Sequence, residues 1–318
     1  MTSPNPSFLI TGGTGFIGQA LVRQIKKHFN SAGQLVVLGS ECDLRGNSAF
    51  SVFEDLAQKN AFDHILHLAA KAKSGEWLAR NPAKSWYENT LINANVFECT
   101  QRYFPNAKIT SVLSYSMYPP SRSSNTEDKI TLRPSDDNLS AYANSKLAIL
   151  TAQEAYKQQY NLNSGSVVLS TCYGPSGSMR PNFGQVIPAL CKKFLLAVQS
   201  STPVVELWGD GQQERDFVFV EDAAEGILQS ALSQKSHVLN LGSGAHHKIR
   251  DVAQMIAEIT GYKGKVSSDV TQYSGPQRRW LNIDRARNEL EWAPRTSLEK
   301  GLRLTVADIR NHLISHKI

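Results

Sequence analysis

The chain has 318 residues, of which 41% are hydrophobic and 19% are charged, and its formal net charge is +6. This composition is typical of a soluble globular protein with a core large enough for one or two domains. No stretch approaches the roughly 20 apolar residues that span a membrane, and the basic residues are dispersed. We therefore expect no membrane and no nucleic acid among its partners.

Apolar runs and helical patterns alternate through the first half of the chain. The runs predict strands at residues 7–11, 34–39, 63–69, 108–114 and 165–171. The patterns between them predict helices at residues 16–29, 50–59, 85–104 and 141–160. This alternation predicts an α/β fold in which a parallel sheet carries helices on both faces, and right-handed crossovers make it doubly wound. The long polar stretch 115–139 is predicted to be a functional loop.

The rhythm loosens after residue 172, where glycines and prolines mark the irregular segment 174–184. Later patterns predict helices near 186–199, 249–260 and 298–314, a strand at 204–208, and a strand followed by a helix within 216–234. We expect residues 173–318 to form mainly a smaller C-terminal α/β substrate domain. A return of the chain to the first domain is expected near residues 211–240.

Three glycines follow the first predicted strand at the spacing of a dinucleotide-binding turn. Gly12 allows the tight turn, Gly15 lets the backbone approach a pyrophosphate, and Gly18 lets the following helix pack on the strand. The phosphates would meet free N–H groups at the positive end of that helix. We assign residues 1–172 to a Rossmann domain whose turn includes Thr14, Phe16 and Ile17.

A second motif carries the chemistry of the predicted site. Tyr142 and Lys146 are four positions apart in a predicted helix, so their side chains share one face. A nearby ammonium favours the phenolate, so we expect Lys146 to lower the pKa of Tyr142 and make it a general acid or base. Lys146 can also hold a nicotinamide ribose hydroxyl. Ser114 ends a strand at the carboxyl edge of the sheet, where its hydroxyl can donate to a substrate oxygen.

Six motifs then stand together along the chain: Thr11-Gly-Gly-Thr-Gly-Phe-Ile-Gly18, His67-Leu-Ala-Ala-Lys71, Ser114, Tyr142-x-x-x-Lys146, Tyr173-Gly-Pro175 and Asp216-Phe-Val-Phe-Val-Glu-Asp222. On these motifs the chain resembles the extended short-chain dehydrogenases/reductases, the NAD-dependent epimerase/dehydratase family. Within that family it is most similar to the GDP-L-fucose synthases, which epimerise a GDP-4-keto-6-deoxy sugar at two carbons and then reduce carbon 4 with NADPH. The resemblance implies an enzyme that acts on a nucleotide sugar with NADP or NAD.

Two positions depart from the fucose synthase pattern. Ser116 stands where those enzymes have a cysteine, and Gln185 stands where they have a histidine; the two groups carry the epimerisation protons. A hydroxyl is far less acidic than a thiol, and glutamine cannot shuttle a proton. The Asp-Glu pair that dehydratases place after their Ser or Thr is replaced by Tyr115 and Ser116, which argues against dehydration.

The resemblance also implies contacts at both ends of the site. Cofactor contacts are expected at Asp43, Leu44, Leu68, Ala69, Ala70 and Lys71, and substrate contacts at Ser116, Arg180, Asn182, Gln185, Trp208, Arg215 and Arg279. Fucose synthases have arginines just after the second strand, whereas this chain has Gly39-Ser40-Glu41 and Arg45 only later, so the choice between NAD and NADP is open. His67 is interpreted as structural.

No metal site is expected, because the adjacent His246 and His247 have no partner carboxylate pattern and the four cysteines are scattered. Reduced cysteines and the lack of basic and apolar signal-peptide regions in residues 1–6 predict a cytoplasmic protein. By family analogy, we expect a homodimer through helices 85–104 and 141–160.

Three functions remain open from the sequence. The first is reduction of a nucleotide-linked 4-keto-6-deoxy sugar by NAD(P)H, without epimerisation. The second is NAD-dependent 4-epimerisation of a nucleotide sugar, and the third is dinucleotide binding without catalysis.

Overall fold

The computed structural model describes residues 5–29, 33–72, 74–119, 121, 123–130, 140–176, 184–235, 237–271 and 278–316. The strands are β1 (Phe8–Thr11), β2 (Leu35–Leu38), β3 (His64–His67), β4 (Lys108–Ser114), β5 (Ser164–Leu169), β6 (Thr171–Tyr173), β7 (Val204–Trp208), β8 (Glu214–Arg215), β9 (Phe217–Phe219), β10 (Val238–Leu241), β11 (His247–Lys248), β12 (Lys265–Asp269) and β13 (Arg278–Arg279). The helices are α1 (Phe16–His28), α2 (Ser48–Ala57), α3 (Gly75–Arg80), α4 (Pro82–Tyr103), α5 (Ser140–Tyr160), α6 (Val186–Gln199), α7 (Val220–Leu232), α8 (Ile249–Thr260), α9 (Asp284–Leu290) and α10 (Leu298–His316).

A six-stranded parallel sheet organises the first half of the chain, in the order β10-β5-β4-β3-β1-β2. All four residues of β1 are buried, which is the pattern of a strand covered on both faces. The winding reverses between β1 and β3, and ligands of such sheets bind outside the carboxyl ends of the strands at that point. The predicted doubly wound α/β fold is confirmed.

The helices cover the sheet in two groups: α1 packs against α7, and α4 packs against α2 and α5. The first five predicted strands and four predicted helices are present, with ends within three residues of prediction. Helix α4 begins earlier than predicted because Pro82 stands in its first turn, where a missing N–H leaves no hydrogen bond unmade. The short α3, which starts at the N-cap Ser74, was missed because six residues hold too little periodicity.

A second hydrophobic core lies in the C-terminal half, where α6, α8 and α10 pack on one another. Helix α7 packs on α1, and β10 pairs with β5 in parallel register. Within the predicted 211–240 range, β8 instead joins β11 and β13 in a separate sheet. The boundary at residue 172 stays a prediction. No helix in the described parts of the chain is long and apolar enough to cross a bilayer.

The loop that follows β4 is partly ordered by the body of the fold. It contains two short 3-10 helices, Tyr115–Met117 and Glu127–Lys129, and residues 131–139 lie outside the described residues. The Tyr118 hydroxyl donates to Asn240 Oδ1 at 2.7 Å, and the Asn240 backbone N–H donates to Glu127 Oε1 at 2.8 Å. These two hydrogen bonds attach the loop to β10. The first of them is made by Tyr118, four residues after the end of β4 at Ser114.

Candidate active site

One cavity of about 1080 Å³ opens at the carboxyl ends of the sheet strands. The predicted cofactor and catalytic residues that line it are Gly12, Thr14, Gly15, Phe16, Ile17, Gly18, Asp43, Leu44, Leu68, Ala69, Ala70, Lys71, Ser114, Tyr142 and Lys146. The predicted substrate residues that line it are Ser116, Gln185, Trp208 and Arg215. The fold thus brings residues as far apart in sequence as Gly12 and Arg215 to the lining of one cavity.

The glycine turn is shaped by close backbone contacts. Gly12 has φ +72°, and a Cβ there would lie 2.7 Å from the Ala69 nitrogen. A Cβ on Gly18 would lie 2.4 Å from the Gly12 oxygen, so α1 can pack on the turn only with glycine at this position. Gly15 caps α1 without a side-chain hydrogen bond, and the first turn contains no acidic residue. The N-terminus of α1 therefore has backbone N–H groups that no side chain caps, and the glycines of the turn carry no side chains. Both features fit the pyrophosphate of a dinucleotide.

Arg45, which follows β2 in the chain and lines the cavity, forms ion pairs with two carboxylates. Arg45 donates through Nε and Nη2 to the two carboxylate oxygens of Asp43, both at 2.8 Å, and through Nη1 to Glu88 Oε1 at 2.9 Å. Hydrogen bonds from Arg45 lower the pKa of Asp43 to about 2. Nearby, Glu41 Oε1 accepts the Gly39 N–H at 2.7 Å. A further anion here would compete with two carboxylates, Asp43 and Glu88, for the guanidinium.

Tyr142 and Lys146 both lie on α5 and line the cavity, but their electrostatics differ from expectation. Burial, followed by the effect of Tyr115, raises the pKa of Tyr142 to about 12, so the predicted lowering is wrong for the protein without ligand. Burial lowers the pKa of Lys146 to about 8, and its Nζ donates to the Val112 carbonyl at 3.0 Å. The sequence showed that Tyr142 and Lys146 share one helix face. It did not show that the Val112 carbonyl accepts a hydrogen bond from the Lys146 ammonium, or how deeply both side chains are buried.

Ser114 accepts two hydrogen bonds from a single neighbour. Its Oγ accepts from the Ser116 backbone N–H at 3.3 Å and from the Ser116 hydroxyl at 2.9 Å. Both serines line the cavity, and Ser116 is 2% exposed. The Ser116 hydroxyl is therefore hydrogen-bonded directly to the predicted catalytic serine, Ser114.

The segment after β3 is held by asparagines of α4. His67 is buried between Thr11 Oγ1, 2.8 Å from its Nδ1, and Asn93 Oδ1, 3.0 Å from its Nε2. Burial lowers the pKa of His67 to about 3, so the ring is neutral and structural, as predicted. The Lys71 N–H donates to Asn89 Oδ1 at 2.8 Å. These bonds fix the cavity wall that faces the glycine turn.

The substrate side of the cavity is built from the C-terminal half. Gln185 is the N-cap of α6, and Trp208, which is 53% exposed, ends β7. Arg215 lies in β8 and its Nη1 donates to the Glu214 carbonyl at 2.8 Å. Arg279 pairs with Arg215 through the backbone of β13. The predicted contacts Arg180 and Asn182 lie outside the described residues.

Several further polar residues line the cavity and were not predicted as site residues, among them Lys193, Glu206, Ser176 and Asp308. Lys193 Nζ donates to the Glu206 carbonyl at 2.5 Å. Ser176 donates to Asp308 Oδ2 from its backbone N–H at 2.9 Å and from its hydroxyl at 2.8 Å. Asp308 lies in α10, far along the chain, and no local motif marks it. Among the described residues, no His, Cys, Asp and Glu cluster has the arrangement of a metal site.

Comparisons with known proteins agree with this geometry. Residues 8–242 match the NAD dependent epimerase/dehydratase family. A GDP-L-fucose synthase from Escherichia coli is 31% identical over 93% of this chain and 94% of its own length.

Two solved structures share the fold. A GDP-6-OMe-4-keto-L-xylo-heptose reductase from C. jejuni has a TM-score of 0.85 and 22% identity, over 98% of this chain and 99% of that one. A UDP-glucose 4-epimerase from Thermotoga maritima has a TM-score of 0.82 and 24% identity, over 96% of this chain and 99% of that one. The chain belongs to the NAD dependent epimerase/dehydratase family and is an NAD(P)-dependent enzyme of the extended short-chain dehydrogenase/reductase type.

Proposed function

We propose that this enzyme reduces a nucleotide-linked 4-keto-6-deoxy sugar with NADPH or NADH and does not epimerise it. One observation carries the proposal: Ser114, Tyr142 and Lys146 line the same cavity as the glycine turn, together with Ser116 and Gln185. The resemblance to the fucose synthases implies that Ser116 and Gln185 stand at the positions of the epimerase groups. The side chains for reducing a ketone are present, and those for moving protons at the neighbouring carbons are replaced.

The glycine turn and the α1 N-terminus would hold the cofactor pyrophosphate, and Asp43 and Leu44 the adenosine. Leu68, Ala69, Ala70 and Lys71 would form the wall beside it. When bound, the reduced cofactor supplies the hydride that reaches carbon 4 of the sugar.

Tyr142 is proposed as the proton donor. Because burial raises its pKa to about 12, the phenol is protonated at neutral pH and can give its proton to the alkoxide that develops on the ketone oxygen. Ser114 donates a hydrogen bond to the same oxygen. Lys146, cationic below its pKa of about 8, stabilises the phenolate that is left on Tyr142.

The loss of epimerisation follows from the two replaced groups. Proton exchange at carbons 3 and 5 needs an acid and a base that titrate near neutral pH. The Ser116 hydroxyl is far less acidic than a thiol, and the Gln185 amide does not titrate. We therefore expect the sugar to leave with the configuration at these carbons with which it entered.

Substrate recognition is proposed at the C-terminal side of the cavity. Arginine guanidinium groups suit phosphate oxygens, so Arg215 and Arg279 are proposed to bind the pyrophosphate of the nucleotide sugar. Trp208 would contact the base or sugar, and Arg180 and Asn182 the hexose.

The test uses GDP-4-keto-6-deoxymannose with NADPH or NADH in deuterated water. We expect loss of nicotinamide absorbance, and a 4-hydroxy product without deuterium at carbons 3 and 5 by NMR. Deuterium at either carbon would contradict the loss of epimerisation. No oxidation of either cofactor would contradict reduction of this ketosugar.

A second candidate, an NAD-dependent 4-epimerase, is favoured by the carboxylates around Arg45. The ion pairs of Arg45 with Asp43 and Glu88 leave less positive charge for the 2′-phosphate of NADP. Redox-neutral turnover of a UDP-hexose by protein that copurifies with NAD would favour this candidate over the reductase.

We also propose a cytoplasmic homodimer that forms through α4 and α5. These helices pack together and expose the aromatic side chains of Trp86, Tyr87 and Tyr160. All four cysteines are free thiols, which suits a reducing compartment. Sedimentation equilibrium of the wild type and Trp86→Glu tests the dimer: the variant is expected to dissociate, and a monomeric wild type would contradict the interface.

A further inference from the structure

We propose that Ser116 is a positioning residue for reduction, whose hydroxyl orients and polarises Ser114 toward the ketone. This inference rests on the proposed reductase function. It gives Ser116, which by the resemblance stands where the fucose synthases have a cysteine, a role of its own in that reaction. It starts from the 2.9 Å hydrogen bond between the two hydroxyls, whose residues both line the cavity.

A serine hydroxyl has one hydrogen to donate and two lone pairs that accept. Ser114 Oγ accepts the Ser116 backbone N–H at 3.3 Å and the Ser116 hydroxyl at 2.9 Å, so both acceptor positions are used by one residue. The hydrogen of Ser114 is then left to donate, and Ser114 lines the cavity. A ketone oxygen is a pure acceptor, so this arrangement presents a donor where the substrate needs one.

The donating neighbour is held rigidly. Ser116 is 2% exposed and lies in the 3-10 helix between Ser114 and the fully buried Met117. The next residue, Tyr118, is also buried and is tied to β10 through Asn240 at 2.7 Å. Because the helix is anchored on its C-terminal side, the Ser116 hydroxyl has little freedom to turn away from Ser114.

Polarisation follows from the chain of donors. A hydroxyl that accepts a hydrogen bond becomes a stronger donor, and the effect is larger in a buried site than in water. As negative charge develops on the ketone oxygen, the bond from Ser114 strengthens, and Ser116 stabilises the charge through it. A thiol is a weak donor, so cysteine at position 116 would support Ser114 less well than serine does.

A double-mutant cycle tests this role, with kcat and KM for the ketosugar measured at saturating reduced cofactor. We expect Ser114→Ala to lower kcat about 100-fold, as loss of an oxyanion donor does. Ser116→Ala should lower kcat about tenfold with KM within about twofold, because the bond matters mainly in the transition state. The double variant should be no slower than Ser114→Ala alone, since Ser116 acts through Ser114.

Ser116→Cys keeps the size of the side chain and should give a kcat between those of wild type and Ser116→Ala. If Ser116→Ala does not fold, Ser116→Cys takes its place in the test. A wild-type kcat for Ser116→Cys would then overturn the proposed positioning role of Ser116. Ser51→Ala, an exposed serine on α2 away from the cavity, is the matched control and should behave as wild type. Cofactor dissociation constants, from nicotinamide fluorescence, should be the same for all variants.

The positioning role of Ser116 is overturned if Ser116→Ala retains wild-type kcat. It is also overturned if the effects of the two alanine substitutions on kcat multiply in the double variant. Multiplication would mean that Ser116 acts independently of Ser114, as a merely structural residue would. A wild type that binds the cofactor but does not reduce the ketosugar would instead overturn the proposed function. The positioning role of Ser116, which rests on that function, would then be overturned as well.

Discussion

The two ends of the cavity are built in different ways. The dinucleotide end is made by the backbone of consecutive elements, β1, the glycine turn and α1, where contacts below 3 Å leave no room for a Cβ on Gly12 or Gly18. The substrate end is made by side chains from distant elements, such as Gln185 before α6, Trp208 in β7 and Asp308 in α10. One end is constrained by steric limits on the main chain, and the other by which side chains the fold brings together.

This difference separates two kinds of constraint on the sequence. The glycine turn matches the family pattern, because its geometry admits few alternatives. Ser116 and Gln185, which we propose stand at the positions of the relatives' epimerase groups, contribute to the cavity lining. We infer that cofactor binding is the common property of the fold, and that the reaction is set by a few exchangeable side chains.

The strongest test of the comparison is Gly18→Ala. A Cβ there would lie 2.4 Å from the Gly12 oxygen and 2.5 Å from the Gly13 Cα, both backbone atoms that cannot rotate away. We expect the loss of detectable binding of NADH and NADPH by calorimetry, with a lower melting temperature. Gly46→Ala is the control, because a Cβ at Gly46 meets nothing within 4 Å. Unchanged binding in Gly18→Ala would contradict the steric account of the turn.

At the reacting centre, Tyr142→Phe removes the proposed proton donor with little change in shape. We expect kcat to fall about 1000-fold, within the range for loss of a general acid, while cofactor affinity stays within about threefold. Tyr103→Phe, at the C-terminal end of α4 and away from the cavity, is the matched control. A kcat for Tyr142→Phe within tenfold of wild type would show that the proton comes from elsewhere.

The pH dependence of kcat/KM tests Lys146. Burial lowers its pKa to about 8, so the side chain is cationic below this pH and neutral above it. Because the cation stabilises the phenolate of Tyr142, we expect kcat/KM to fall about tenfold per pH unit above pH ~8, as for one ionisation of the free enzyme. The decline should disappear in Lys146→Ala, whose kcat/KM is low throughout. A wild-type profile that is flat up to pH ~10 would contradict this role.

Cofactor choice is the next smaller effect. In Asp43→Asn, Arg45 loses one of its two charged partners, at 2.8 Å, and keeps Glu88 at 2.9 Å, so more of its positive charge is available to a 2′-phosphate. We expect the ratio of NADPH to NADH affinity to rise about tenfold, equivalent to about 1.4 kcal/mol. Asp55→Asn, exposed on α2, should leave the ratio unchanged. An unchanged ratio in Asp43→Asn would mean that Arg45 does not face the phosphate.

A separate effect, on stability rather than on the reaction, concerns the sheet beneath the predicted dinucleotide end. His64 in β3 is 8% exposed, and burial lowers its pKa to about 4. The unfolded chain therefore binds more protons than the folded one between pH ~6.5 and ~4, and stability falls as pH decreases through this window. His64 should contribute roughly 3 kcal/mol to that loss.

Urea unfolding at pH 7 and pH 4.5 measures the effect of His64. His64→Phe, which can keep the stacking on Phe8, is expected to lose less stability on acidification than the wild type. His28→Gln, exposed at the end of α1, serves as the control and should keep the wild-type loss. Equal losses in wild type and His64→Phe would contradict the assignment.

The sequence alone was enough for the features that depend on neighbouring residues. The apolar run of β1, the glycine spacing and the four-residue separation of Tyr142 and Lys146 are local, and each constrains the backbone or one helix face directly. The order of alternating elements then predicts the parallel sheet, because right-handed crossovers leave few topologies. The fold and the wall of the dinucleotide end could be predicted for this reason.

Tertiary structure alone decided the features that depend on distant contacts and on burial. The pairing of Ser176 with Asp308, the carboxylates around Arg45 and the hydroxyl contact of Ser116 with Ser114 have no periodic signal in the chain. The pKa of Tyr142 is raised, against expectation, because desolvation in the folded protein dominates there. Burial is a property of the whole packed molecule, so no spacing of two residues reveals it.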